Sequence, residues 1–402
     1  MNRTTDPKSL AVDATRDAHA SVGGVLTVDL GAIAANWKKL ESKGVPSECA
    51  AVVKAGAYGC ELSPVVTTLT AAGCKTFFVA TLDEAEGVRT IAPKAAIYVL
   101  DGFFSGTGDR FATLNAMPVI GDMGELAEWD AYRTTSGWLG GAAIHIDTGM
   151  NRLGLSVGEA EGLLPRLNTV NTGISLVMSH LACAETLGHA MNARQVTAFR
   201  EIASRFTSVP ASLANSSGIF LGPNFLFDMI RPGAALYGVN PTPEADNPMQ
   251  QVIDLKARIV SVRNVPKGDT VGYGARWTAR RDSRIAIVTA GYADGYFRAA
   301  GGTDGTRGAE AIVGGKRCPI AGRISMDLLA IDVTDVPTSV RRGHMATLIG
   351  DGITVDELGH HFGTIGYEVL TSLGTRYARV YKEAEAPPAP ADAPTPPAET
   401  AS

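Results

Sequence analysis

AVVKAGAYGC, residues 51–60, runs from three apolar residues into a single lysine, Lys54, and then through small residues to Tyr58 and Gly59. A strand that ends on lysine sets an amine at a strand tip in a partly apolar setting. Burial disfavours the ammonium form and frees the lone pair, which turns a lysine into a nucleophile or a carbonyl-condensing amine. Apolar runs closed by a surface lysine are common, so the rest of the chain must say which kind this is.

Seven more short apolar runs follow the first, Cys49–Lys54. They are Thr76–Ala80, Ala96–Leu100, Met117–Ile120, Ala142–Asp147, Ile174–His180, Ala211–Asn215 and Phe227–Arg231. Between them lie helix-length segments such as Ser63–Gly73, Leu82–Thr90, Met123–Tyr132, Val157–Leu167 and Asn192–Phe206. Eight strands alternating with helices predict an α/β fold, a TIM-like (β/α)8 barrel. A doubly wound open sheet is the alternative, but it uses fewer strands and a glycine-rich first turn, and no GxGxxG follows the first strand here. Barrel sites sit at the C-terminal ends of the strands. The polar residues closing these runs are Lys54, Asp147, His180, Asn215 with Ser216, and Arg231. After the seventh run comes NSSG, residues 215–218. After the eighth comes RPGAALYG, residues 231–238, where Gly233 lets the backbone approach an anion. The loops after the last two strands of such barrels often hold phosphate. A lysine facing a phosphate site is what pyridoxal phosphate needs.

Working outward, LTVDL (26–30) reads as a strand, with Asp29 placed to cap a helix carrying Ile33, Trp37 and Leu40. From about Pro241 the pattern changes. NPTPEADNP reads as a linker, and strands follow at Val252–Val265, Arg284–Ala290, Ala311–Val313, Leu328–Val333, Met345–Ile349 and Thr375–Tyr381. Only ITVDELGHHFG, 353–363, reads as a short helix there. The expected organisation is a disordered segment at 1–22, the barrel at 23–246, a mostly β domain at 247–382, and a disordered Pro/Ala-rich tail at 383–402.

The chain has 402 residues, 45% hydrophobic, with a net charge of −5, which suits a globular protein of two domains. No basic stripe or basic amphipathic segment points to nucleic acid or a membrane surface. Five widely spaced cysteines with no CxxC pair indicate neither a disulfide framework nor a zinc site, and no metal is expected. The N-terminus lacks the apolar core of a secretion signal, so the cytoplasm is the expected location.

With these residues in hand, residues 25–382 resemble the two-domain alanine racemases that use pyridoxal phosphate. The resemblance rests on LTVDLGAIAANW, AVVKAGAYG, DTGMNRLG, MSHLACAE, LANSSG, IRPGAALYG, VGYGARW, AGYADGY, AGRISMD and GYEVLTSLGTRYARVY, in that order. It implies that Lys54 holds the cofactor and serves as the base on the D side of the substrate, with Tyr273 as the opposite base. In that family the tyrosine comes from the partner subunit, so a homodimer with shared sites is implied. Tyr58, Ser216 and the backbone at Gly233 would bind the cofactor phosphate, with Asn215 a further cofactor-binding residue. Arg231 would face the pyridine nitrogen, with His180 beside it. Arg152 would lie near the cofactor oxygen and the substrate carboxylate, with Met326, Asp327 and Tyr292 on the substrate side. Two bases suit racemisation, because one small group does not easily serve both faces of a carbon.

Two departures from the family pattern stand out. Many relatives carry a carbamylated lysine two positions before the aspartate of DTG, where this chain has His145, so Arg152 loses its usual negative partner. At the position of a gate tyrosine stands Thr375, with Tyr377 nearby. The resemblance implies interconversion of L- and D-alanine, for peptidoglycan or for alanine catabolism. The competing readings are a broad-specificity amino-acid racemase, a decarboxylase on the same barrel, and a non-catalytic cofactor carrier.

Overall fold

The computed structural model describes residues 22–167, 172–207, 209–350 and 352–383. The two segments expected to be disordered lie almost wholly outside these residues. Eight parallel strand positions close into a barrel. Its first strand is interrupted at Ala50, as Glu48–Cys49 and Ala51–Val52. One part pairs with the last strand, Met229–Ile230, and the other with Thr76–Val79. The remaining neighbours are Ala96–Val99, Met117–Ile120, Ala142–His145, Ile174–Met178 and Ala211–Ser212, each at a run expected from the sequence.

Continuous apolar runs suit this sheet because parallel strands wrapped by helices are covered on both faces. Alternate residues divide between the two sides. Ala50, Phe78, Tyr98, Val119, Ala143, Leu176, Met178 and Met229 form a cluster inside the barrel. Their neighbours Ala51, Phe77, Val79, Ile97, Ile144, Val177 and Ile230 join the larger core beneath the helices. Tyr98 stacks on Phe78 at 4.8 Å within the barrel.

The second unit is a mostly antiparallel sheet built around the long strand Ile253–Val265, which pairs with Ser283–Val288 and Met345–Ile349. The chain's first strand, Gly24–Asp29, also belongs here, although the 23–246 reading grouped it with the barrel. It pairs antiparallel with Ile253–Val265 and parallel with Ala378–Lys382. Its burial alternates residue by residue, the pattern of a sheet with one covered face. Asp29 then caps the helix Leu30–Gly44, accepting from the Ala32 N–H at 2.8 Å, and that helix buries Ile33, Trp37 and Leu40.

Two helices were not legible in the sequence, Gly108–Leu114 and Gly366–Ser372. The second corrects the expectation of a single short helix in the β domain. GYEVLTS is too short to show a period and has no side-chain cap. It forms because Val369 and Leu370 are buried against the rest of the fold. No helix among the described residues is long and apolar enough to cross a membrane.

Candidate active site at the barrel mouth

Strand ends bring the polar residues singled out above to one rim. Lys54 leaves the first strand half-buried, and burial together with the Arg152 charge lowers its pKa from the ordinary lysine value. His180 ends the sixth strand. Burial, then the charges of Arg231, Arg152, His145 and Lys54, push its pKa well down, so it is neutral. Arg231 ends the eighth strand and is 4% exposed. Its guanidinium donates to Ser212 Oγ, to the Ser179 carbonyl at 2.7 Å and to the Leu213 carbonyl at 3.5 Å. Ser212 thus stands on the seventh strand, which sends no apolar residue into the barrel cluster, as an anchor for that arginine. Burial lowers Arg231 to about 9, which leaves it charged at neutral pH. A buried arginine held by neutral acceptors, with no carboxylate partner among the described residues, is costly and points to a functional site.

The phosphate side is equally definite. Tyr58 stacks on Tyr237 with ring centroids 4.6 Å apart, and the Tyr237 hydroxyl donates to the Val52 carbonyl at 3.1 Å. The Tyr58 hydroxyl points at Gly233, where an added Cβ would lie 2.5 Å from it. Only glycine fits there. Ser216 Oγ accepts from the N–H groups of Gly233 and Ala235 at 3.0 and 3.2 Å, which leaves its own proton free to donate. Ser217 Oγ is buried without a hydrogen-bond partner among the described residues. Burial keeps the Tyr58 hydroxyl protonated. Two hydroxyls, those of Tyr58 and Ser216, beside a glycine whose Cβ would fill the space fit a phosphate group. Asn215 is turned to a structural task, its Oδ1 accepting from the Gly218 N–H at 2.9 Å.

Arg152 rides on a loop fastened by Asp147, whose carboxylate accepts from the N–H groups of Gly149, Met150 and Asn151 at 2.8, 2.8 and 2.9 Å. His145, 8% exposed, has its pKa lowered to about 4 by burial and by Arg231 and Arg152. It is therefore neutral and gives Arg152 no counter-charge.

On the β domain, Tyr273 is 69%, Met326 54% and Tyr292 43% exposed. Tyr292 and Met326 adjoin, through Tyr292 N–H to the Ser325 carbonyl at 3.1 Å and Ala293 N–H to the Met326 carbonyl at 3.0 Å. Asp327 pairs with Arg376 at 2.7 Å. Within one chain this group makes no hydrogen bond or ion pair with the Lys54 group among the described residues. Thr375 is exposed, while Tyr377 is buried against Gly24. Besides Tyr237, a second aromatic ring lies beside Tyr58, that of Tyr367, at 6.3 Å.

Sequence reading missed Gln195. Its fully buried amide accepts from the Ala182 N–H at 2.9 Å and donates to the His180 carbonyl at 2.9 Å and to Thr148 Oγ1 at 3.4 Å. It joins the His180 loop to the Arg152 loop, and partners so far apart in sequence leave no local signal.

A family profile described as "Alanine racemase, N-terminal domain" matches residues 28–241, and one described as "Alanine racemase, C-terminal domain" matches residues 252–381. The alanine racemase of Methylobacterium nodulans is 50% identical over 367 residues, 91% of this chain and 98% of that one. Among solved structures, alanine racemase from Bartonella henselae with covalently bound pyridoxal phosphate has a TM-score of 0.84 at 35% identity, covering 90% of this chain and 99% of that chain. Biosynthetic alanine racemase from Pseudomonas aeruginosa has a TM-score of 0.83 at 34% identity, with the same coverage.

Proposed function

Because the chain belongs to the alanine racemase family, we propose that it interconverts L- and D-alanine with pyridoxal phosphate, using Lys54 and, from a second copy of the chain, Tyr273. The observation that carries this reading is the meeting of Lys54, the Tyr58–Ser216–Gly233 cradle and Arg231 at one barrel mouth. Tyr58, Ser216 and Gly233 would bind the cofactor phosphate. Arg231, held by three neutral acceptors, would set a fixed positive charge against the pyridine nitrogen. It keeps its own proton, so it would not hand one to the ring.

Pyridoxal phosphate, when bound, supplies an electron-poor ring that renders the substrate α-hydrogen acidic. The chain's part is to move that proton. Lys54 Nζ would take or return it on one face, and its lowered pKa increases the share of free amine near neutrality. Tyr273 Oη would do the same on the other face. Its exposure in a single chain is what a side chain completed by a partner would have. Arg152 would draw the substrate carboxylate, helped by the Met326 backbone N–H of the second copy; Asp327 of that copy would lie on the substrate side without drawing the carboxylate, and Tyr292 would line the approach. The cytoplasm is the proposed location.

The test is complementation. Lys54→Ala and Tyr273→Phe chains are each expected to be inactive, Tyr273→Phe by about 10²–10⁴-fold. Unfolded together and refolded as a mixture, they should regain about a quarter of wild-type activity, because half of the dimers are mixed and each holds one intact site. A mixture as inactive as its components would overturn the shared-site reading. An active Lys54→Ala chain would overturn the assignment of the lysine.

A further inference from the structure

The four residues after Lys54 share an uncommon backbone. Ala55, Gly56, Ala57 and Tyr58 have φ of 54°, 58°, 56° and 54°. This is the left-handed region that L side chains avoid, because Cβ crowds the following carbonyl. Three of the four carry a side chain. The turn matters because its hand sets where Lys54 leaves the strand and where, four residues on, the Tyr58 hydroxyl reaches Gly233.

Bonds inside the turn hold only part of it, with Ala57 N–H donating to the Val53 carbonyl and Gly59 N–H to the Ala55 carbonyl, both at 2.9 Å. The middle N–H, that of Gly56, goes outside, to Glu84 Oε1 at 3.2 Å. Glu84 lies in the first turn of the helix Leu82–Ile91, capped by Thr81. Its other oxygen accepts from the Ala80 N–H at 2.8 Å, at the tip of the second strand. One carboxylate thus straps the Lys54 turn to the neighbouring strand. Glu84 and Asp101 also favour the charged form of Lys54, against Arg152 and burial.

A second glutamate offers an internal comparison. Glu125, in the first turn of the helix Met123–Ser136, accepts from the Gly121 N–H at 2.9 Å and from the Phe103 N–H of the preceding loop. It makes the same kind of strap between the third and fourth strands, where there is no lysine and no left-handed run.

We infer that Glu84 is a positioning residue: its carboxylate fixes the left-handed turn that aims Lys54 and Tyr58 together, beyond the bracing of the barrel that Glu125 performs. This rests on Lys54 being the cofactor lysine.

The test compares full-length wild type, Glu84→Gln, Glu125→Gln and the double variant Glu84→Gln/Ala55→Gly. Glutamine keeps the shape but offers one oxygen where the N–H groups of Gly56 on one side and of Ala80 and Thr81 on the other need acceptors. Pyridoxal phosphate affinity is measured by absorbance titration, kcat and KM by steady-state kinetics, and folding by thermal unfolding. Glu84→Gln should weaken cofactor binding and lower kcat by about tenfold each, with KM for alanine within about twofold of wild type. Glycine at position 55 makes the left-handed turn easier and should restore most of both losses. Glu125→Gln should lower the unfolding temperature and leave cofactor affinity alone. If Glu84→Gln binds the cofactor like wild type, or loses no more affinity than Glu125→Gln, or is not helped by Ala55→Gly, the inference fails. Wild-type protein that takes up no cofactor would sink the Lys54 reading itself, and the inference with it.

Discussion

His145 sets the acid sensitivity of the barrel mouth. An imidazole in water titrates near 6.5, and burial with two nearby arginines brings this one to about 4. Between those values the unfolded chain binds a proton that the folded chain refuses. Its contribution to stability is therefore complete above about pH 6.5 and is lost as the pH falls towards 4, on the order of 3 kcal/mol over the window. His180, half-buried and shifted the same way, adds to the slope. The expected result is a urea midpoint that drops between pH 7 and pH 5 in wild type and drops less in His145→Gln. Equal slopes in the two proteins would show that His145 is not held neutral. At this scale the sequence was informative wherever a polar residue closed an apolar run, as at Lys54, His180, Ser216 and Arg231. Glu84 was half-legible: Thr81 and Glu84 have the spacing of a capping box, but nothing nearby in sequence shows its bond to Gly56. Gln195 was not legible at all.

Among the elements, the left-handed turn after Lys54 and the helix Gly366–Ser372 depend on each other. Gly59 closes the turn at φ 81°, and an added Cβ there would lie 2.6 Å from the Leu370 carbonyl on that helix. Gly59→Ala is expected to destabilise the protein by about 2–4 kcal/mol, since it meets both backbone strain and a backbone clash. Ala55→Gly should do the reverse, raising stability by about 0.5–1 kcal/mol, because relief of the left-handed strain outweighs the added freedom of the unfolded chain. Thermal unfolding of the two single variants checks both signs, and a stabilising Gly59→Ala would mean that the turn and helix do not pack as described. Neither the hand of this turn nor the short helix could be read beforehand. AVVKAGAYG contains glycines compatible with several turns, and GYEVLTS lacks the length to display a period. Long, strongly patterned elements behaved differently: the helix Val157–Leu167 has the bounds expected of it.

At the scale of the whole molecule, Tyr273, Met326 and Tyr292 leave large apolar surfaces open on the β domain. A single chain holds Lys54 in one group of residues and these in another. If a second copy completes the site, specific activity per chain should fall on dilution in step with dimer dissociation followed by light scattering or sedimentation. Full activity in a demonstrated monomer would refute the shared site. The sequence by itself determined the barrel and its closing polar residues, because a strand covered on both faces must be apolar until it reaches the rim. It also determined the presence of a second, β-rich unit. Only the tertiary structure decided that the first strand, Gly24–Asp29, is built into that second sheet, that Glu84 reaches Gly56, and that Ser212 holds Arg231. Those outcomes depend on pairings between residues tens to hundreds of positions apart, and local pattern carries no record of which distant partner a donor or a strand edge will meet.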